Sequence, residues 1–418
     1  MWIELNDNDV SGEPTACRVC GGPVRRCLDL GRQPVSNAFL LPEQIADEAF
    51  FRLEVGICTR CTLVQQLDVV AHERMFRPDY PYRSSTSARL RRHFADVART
   101  LHTTELTGPD DLVVEVGSND GIMLRTLSDA GVRHLGVDPC VGAGDTAAQG
   151  GVRIRIDYFN ERSAAEIRRT DGPAKVIFSA NTISHIADLG SVFGGVDALL
   201  TADGVFVFED RYLADIIAHT TFDQIYDEHV YLLAVRSVSE VAAVFGFELI
   251  DAQRLGVHGG SMRYTVARAG ARPRTARVDQ LIGEERALGL GDPATFAGFG
   301  ARLDVIGKDL VALLTELRSA GMRVAGYGAT SKSATVTNYC GIGTDLVPVI
   351  YDTTPEKQGR LTPGAHIPVE SAARFTDPYP DYALLFAWNH AEEIIERERE
   401  FRDRGGRWIL YVPDVHLL

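Results

Sequence analysis

The chain has 418 residues, with 43 lysines and arginines against 57 aspartates and glutamates, for a net charge of −14 at pH 7. Its 45% hydrophobic and 24% charged residues suit two to three globular domains and exclude intrinsic disorder. The acidic excess argues against a nucleic-acid partner. No apolar run of about 18 residues predicts a membrane span, and the opening MWIELNDNDVSGEP lacks a secretory pattern, so a cytoplasmic location is expected.

Residues 1–75 hold five of the seven cysteines. Cys17-Arg-Val-Cys20 and Cys58-Thr-Arg-Cys61 form two C-x-x-C knuckles separated by 37 residues. Each knuckle offers two thiolates to one side of a metal, and the pair completes a tetrahedral S4 site for structural Zn²⁺. Such a shell leaves no open position, so this metal is not expected to catalyse. Cys27 is a weaker rival ligand. Cys140 and Cys340 read as small apolar residues. Short strands and turns are expected around the metal, with zinc making up for a small core.

A helix is expected over Ser87–Leu101, and α/β alternation follows. Strand-like runs fall at Leu112–Val116, His134–Val137, Val176–Ser179 and Gly204–Phe208, with helical patterns between them. That alternation predicts a parallel, doubly wound sheet. Phe247–Leu255 and Ser261–Ala267 read as strands that end it. Residues 278–320 look helical, broken near Gly289–Pro293. A second α/β unit then begins at Arg323–Gly326 and continues through Val347–Tyr351, Tyr382–Phe386 and Trp408–Val412. The expected division is a zinc domain at 1–75, a Rossmann-like central domain at 76–275 and a Rossmann-like C-terminal domain at 276–418.

Val113–Gly121 reads as a strand, an acidic residue (Glu115) and a small-residue turn (Gly117, Ser118, Asn119, Asp120), with a helix after it. Glycine lets a ligand approach the backbone, and the helix N-terminus offers free amides. Asp138 closes the next strand, 21 residues after Gly117, where a carboxylate can accept both ribose hydroxyls of an adenosine. Asp157 and Tyr158 follow the third strand region, placed to hold the adenine, and Asn181 follows the fourth. This arrangement resembles S-adenosylmethionine-dependent methyltransferases more than dehydrogenases. Ser118 and Asp120 stand where that pattern usually has glycine.

Three polar clusters could do chemistry: Arg77–Ser87, Asn181–Ile186 and Gln224–His229, with His258-Gly-Gly-Ser261 as an addition. The knuckles are followed in order by DYPYRSSTS, EVGSNDGIML, ANTISHI, FDQIYDEH, VHGGSMRY, GYGATSKSATVTNY and YDTTPEKQGRLTPG. Over essentially the whole chain this series resembles the sugar C-methyltransferases of antibiotic deoxysugar biosynthesis. The resemblance implies S-adenosylmethionine as methyl donor and a dTDP-linked 4-keto-deoxysugar as acceptor. It implies methylation at C3, with C5 as the alternative. A carbon beside a ketone is acidic because its carbanion delocalises into an enolate. A histidine can take that proton, and hydrogen-bond donors can hold the enolate oxygen. The resemblance carries the base onto His229, with His185 as rival. It gives Tyr226 and Tyr80 to the keto oxygen or sugar hydroxyls, with Tyr82 as an equally spaced competitor to Tyr80. Glu228 falls to a sugar amine or hydroxyl, and His258 to substrate or to a turn.

Val324–Ser333 contains G-x-G-x-x-S, short of the full dinucleotide motif. Gly328, Ser331 and Lys332 make a diphosphate cradle. Asn338 lies further along the same helix. Tyr351 and Asp352 end the next strand, where a base or ribose could be gripped. The resemblance assigns this domain to the nucleotide of the sugar. Two other classes are an NAD-dependent nucleotide-sugar oxidoreductase and a non-catalytic zinc scaffold. A monomer is expected.

Overall fold

The computed structural model describes residues 16–75 and 83–418. Tyr80 and Tyr82 lie outside the described residues. Strands β1 (Val24–Pro34), β2 (Phe50–Cys58) and β3 (Val64–Gln66) form an antiparallel sheet. β1 begins just after the first knuckle and β2 ends in the second. Their pairing, Val24 opposite Cys58, brings the two knuckles to one end of the sheet.

The helix Ala88–Thr104 follows, with Ser87 capping it by accepting from the Leu90 amide. Then come β4 (Leu112–Val116), β5 (Arg133–Asp138), β6 (Ile154–Ile156), β7 (Ala174–Ala180) and β8 (Leu200–Arg211), all parallel. The chain next supplies β9 (Tyr231–Leu232), which pairs with β3 and so belongs to the first sheet. β10 (Phe247–Leu255) and β11 (Ser261–Arg268) return as an antiparallel pair beside β8. The seven-stranded order is β10-β11-β8-β7-β4-β5-β6. β4 and β7 are neighbours reached by crossovers in opposite directions, so a crevice opens at their carboxyl ends.

Helices Ala276–Ala287 and Pro293–Ser319 reproduce the expected break, with Pro293 in the first turn and Asp292 capping. The second helix buries Phe296, Phe299, Leu303, Ile306, Leu310, Leu314 and Leu317, a helical stripe of three- and four-residue steps. It packs on β1 and on the C-terminal unit, bridging the two. That unit contains β12 (Val324–Tyr327), β13 (Ile350–Asp352), β14 (Val369–Ser371), β15 (Tyr382–Leu385), β16 (Arg407–Leu410) and β17 (His416–Leu417). The order is β14-β13-β12-β15-β16-β17, parallel except for β17. One apolar cluster runs from Leu53 through Phe208 and Phe299 to Ile350, so the three sheets share a continuous core. No helix among the described residues is long and apolar enough to cross a membrane.

Candidate active site and metal centre

The four cysteine sulfurs lie within 4.8 Å of one another. Cys17 and Cys61 are 3.7 Å apart, Cys20 and Cys58 3.4 Å, and Cys20 and Cys61 3.5 Å. A tetrahedron of Zn–S bonds has edges of about 3.8 Å, so these spacings fit the ion. The Gly22 and Arg60 amides donate to the Cys20 and Cys58 sulfurs. A Cβ on Gly22 would come 2.8 Å from the Arg60 Cβ and 3.1 Å from the Cys58 sulfur, so the knuckles close only over a glycine. Cys27 stands apart, donating to the Val55 carbonyl, and burial pushes its thiol up to about 12.

A cavity of about 770 Å³ opens at the carboxyl ends of β4, β5, β7 and β8. Its walls come from all three sheets. Asn37 and Val69–His72 close one side. Thr330–Lys332, Lys357, Asn389 and His390 close another.

The turn after β4 forms part of its wall. Gly117 has φ +69, and a Cβ there would meet the Thr182 hydroxyl at 2.2 Å. Asn119 and Asn181 line the cavity in left-handed backbone, a conformation asparagine tolerates better than most residues. Glu115 is buried and lines the cavity, and its Oε2 has no partner among the described residues. Burial, with Asp120, Asp138 and Glu209 nearby, raises its carboxyl well above the usual range. An unpartnered acid facing a cavity suits a cationic ligand group such as an α-ammonium. Asp138 accepts from the Asn119 amide (2.8 Å) and the Cys140 amide (2.8 Å), yet still faces the cavity and keeps lone pairs for hydroxyls. Tyr158 lines the wall edge-on to His72.

Two residues expected here face elsewhere. Asp157 turns into ion pairs with Arg155 and Arg162 at the surface, because those guanidiniums satisfy it there. Asp120 is buried beneath the turn and accepts from the Ser85 amide, pinning the following segment to it.

His185, Arg211, Tyr226, Glu228, His258, Ser331, Lys332 and Lys357 also line the cavity. Asn181 joins the two groups, its Nδ2 3.4 Å from His258 Nε2 and its Oδ1 accepting from Arg211 Nη1 at 3.4 Å. His229 lies one layer behind, its ring 4.0 Å from that of Tyr226 and 5.1 Å from that of His185. Its Nδ1–H donates to the Gln224 carbonyl. That bond fixes the tautomer and leaves Nε2 as a lone-pair acceptor with no partner among the described residues. Burial and Arg211 hold His185 down to about 3, and burial also holds His229 and His258 well below the usual range. All three imidazoles are therefore neutral. Lys332 is lowered to about 8 by burial, with Arg211 adding to the shift and Asp223 and Glu228 opposing it. Lys357 donates to the Ala329 carbonyl and sits over the Phe39 ring.

The Gly117 turn with Glu115 and Asp138, and a cationic, histidine-lined wall, thus share one cavity. Residues 87–252 match a methyltransferase domain model, 256–413 a "C-methyltransferase C-terminal domain" and 17–76 a "Putative zinc binding domain". C-methyltransferase NovU of Streptomyces niveus is 33% identical over 408 residues, 96% of each chain. This chain belongs to the C-methyltransferase family. It is an S-adenosylmethionine-dependent enzyme with a four-cysteine zinc centre. Among solved structures it is similar to a methyltransferase of Anabaena variabilis ATCC 29413 (16% identical, TM-score 0.34, covering 41% of this chain and 83% of that one). It is also similar to magnesium protoporphyrin IX methyltransferase of Synechocystis PCC 6803 (12%, TM-score 0.33, 43% and 82%).

In this methyltransferase the second glycine-rich turn is only partly at the cavity. Ser331 and Lys332 reach it, but Gly328 does not. A Cβ on Gly328 would strike Ala387 at 2.7 Å, and one on Gly326 would strike Ile350 at 2.7 Å, so the neighbouring chain packs closely against both glycines. Asn338 instead donates to the Ala334 and Pro363 carbonyls. Tyr351 packs on Phe375. Asp352 accepts from the Thr354 amide. None of these three lines the cavity, since each satisfies the local turns of its own sheet. Sequence reasoning missed Arg211, Asn37, Asn389 and His390. Arg211 was findable: it is the cation ending the fifth parallel strand of the sheet. The others reach the cavity through contacts distant in the chain.

Proposed function

We propose that the acceptor is a dTDP-linked 4-keto-deoxysugar, methylated at the carbon next to the ketone, C3 by the resemblance. The observation that supports this most is the acceptor wall, where neutral imidazoles stand beside the buried Lys332 and the half-buried Arg211 and Lys357. Neutral imidazole can take a proton; Arg211, Lys332, Lys357 and the amides at the start of the helix Ser331–Cys340 suit a diphosphate and a developing enolate oxygen.

In this reading a neutral imidazole accepts the α proton, His229 by the resemblance and His185 by its place on the cavity wall. Tyr226 and Glu228 orient the sugar. When bound, S-adenosylmethionine supplies an electrophilic methyl group. Glu115, Asp138 and the Gly117 turn hold the adenosyl and amino-acid ends. The saturated sulfur site takes no part in the chemistry. The C-terminal unit grips the nucleotide, and the enzyme works in the cytoplasm as a monomer.

The test is incubation with S-adenosylmethionine and a panel of dTDP-4-keto-deoxysugars in deuterium oxide, read by mass spectrometry and proton NMR. One added methyl on carbon is expected, and the lost proton signal names C3 or C5. His229→Ala should abolish methylation and solvent exchange together. Exchange that survives in this variant and disappears in His185→Ala transfers the role to His185. Normal donor binding with no sugar methylated overturns the acceptor assignment.

A further inference from the structure

The loop Tyr226–His229 belongs to the central part of the chain, yet the zinc sheet holds it. Gln66 is fully buried at the end of β3. Its Nε2 donates to the carbonyls of Tyr226 (2.6 Å) and His229 (2.9 Å), with Asp227 at 3.4 Å. Its own amide donates to the Val230 carbonyl at 2.8 Å. One residue therefore grips the backbone on both sides of Glu228. The Ser36 amide donates to the Asp227 carboxylate, and Asn37 Nδ2 donates to Glu228 Oε1 at 2.6 Å.

Gln66 is itself anchored from the first knuckle. Arg18, between Cys17 and Cys20, donates through Nη1 to the Gln66 carbonyl (2.6 Å) and through Nη2 to the Leu67 carbonyl (2.8 Å). The Arg18 amide and Nη1 also reach Gln65 Oε1. A chain of hydrogen bonds thus runs from Arg18, within the first knuckle, through β3 to the loop that carries Tyr226, Glu228 and His229.

We propose that Gln66 is a positioning residue for methyl transfer and that Arg18 holds Gln66 in place, so that the metal knuckle sets the geometry of the Tyr226–His229 loop. Neither side chain lines the cavity, so neither touches donor or acceptor among the described residues. Their effect passes through backbone carbonyls. A base displaced by about 1 Å loses on the order of 100-fold in rate. The proposal rests on the reading that this loop carries the acid–base chemistry.

Gln66→Met keeps the length and removes the donor, and Arg18→Lys keeps the charge and removes the two-carbonyl fork. Both are made in the full zinc-loaded chain. The measurements are kcat and KM for the keto sugar, the donor Kd by calorimetry, and amide hydrogen exchange of residues 224–232 against 112–121. Gln66→Met is expected to lower kcat on the order of 100-fold, leave donor Kd within about twofold, and speed exchange only in 224–232. Arg18→Lys should do the same to a smaller extent. Unchanged exchange at 224–232, or equal loosening of 112–121, overturns the proposal. So does an unchanged kcat. If the wild-type chain methylates no keto sugar, the reading of the acceptor fails by that result alone, and the exchange comparison, which needs no substrate, still decides the role of Gln66.

Discussion

His258 occupies left-handed backbone (φ 54) at the cavity wall, followed by Gly259 and Gly260. The two glycines are required there: a Cβ on Gly259 would strike the Trp388 ring at 2.4 Å, and one on Gly260 the Asp215 carboxylate at 2.4 Å. The buried imidazole resists protonation. In the unfolded chain the same ring titrates near 6.5, so at lower pH the unfolded state binds a proton that the folded state refuses. Stability is thus lost as pH falls below about 6.5, and each such buried histidine costs about 2 kcal/mol at pH 5. Asp227, raised to about 6 by burial, opposes this trend between roughly pH 4 and 6, because the folded state then holds the extra proton. Comparing wild type with one histidine variant cancels that contribution. Asparagine tolerates left-handed backbone, so His258→Asn should fold. Its melting temperature should fall less than that of wild type between pH 7.5 and 5.5; equal falls would show that His258 is protonated in the folded protein.

The turn that links β4 to the helix Ile122–Asp129 was largely legible as an element. Leu112–Val116 was expected and observed as a strand with the same ends, and the acidic residue, the small-residue turn and Asp138 all fall at the crevice. Alternation of apolar strands and helices carries that information locally. Asp157 was misplaced because nothing in its own neighbourhood reveals that Arg155 and Arg162 claim it. The close approach of Thr182 was likewise invisible, since it comes from the turn after β7. It predicts a specific pair of variants. Gly117→Ala meets both the Thr182 hydroxyl and a positive φ that costs an L-residue about 1–2 kcal/mol. Donor affinity should fall about 5- to 30-fold as the turn relaxes out of that conformation, the equivalent of that strain. Adding Thr182→Ala relieves the clash but not the strain, so calorimetry should find affinity recovered in part. Full recovery would mean that the backbone conformation at Gly117 does not matter to donor binding.

At the scale of the whole molecule, the sequence shows three units and hides how they close on one cavity. The knuckles, two parallel sheets and the long broken helix all follow from spacing and periodicity. The pairing of β9 with β3 does not, because two residues carry no periodic signal and their partner lies more than 160 residues away. His229 was expected at the surface of the site, and sits a layer behind it, for the same reason: its depth is set by the zinc sheet. The C-terminal unit is tied down by a contact equally remote. Asp223, fully buried just before the Tyr226–His229 loop, accepts from Trp388 Nε1 at 2.6 Å and from the Tyr411 hydroxyl at 2.5 Å. Trp388 in turn covers Gly259 and precedes Asn389 and His390 in the cavity wall. Replacing Asp223 with leucine leaves the part-buried Trp388 Nε1 without its acceptor and the buried Tyr411 hydroxyl with only the Phe386 carbonyl at 3.5 Å, at about 1–3 kcal/mol for an unsatisfied group. Among the described residues, neither Trp388 nor Tyr411 is hydrogen-bonded to Glu115, Gly117 or Asp138. Asp223→Leu should therefore melt at a lower temperature and raise KM for the acceptor several-fold, while donor Kd stays within about twofold, since uniform loss of acceptor binding appears in KM. Steady-state kinetics with calorimetry checks this. A variant that loses donor affinity as much as acceptor affinity would show that Asp223 supports the general fold and not the seating of the C-terminal sheet on the acceptor wall.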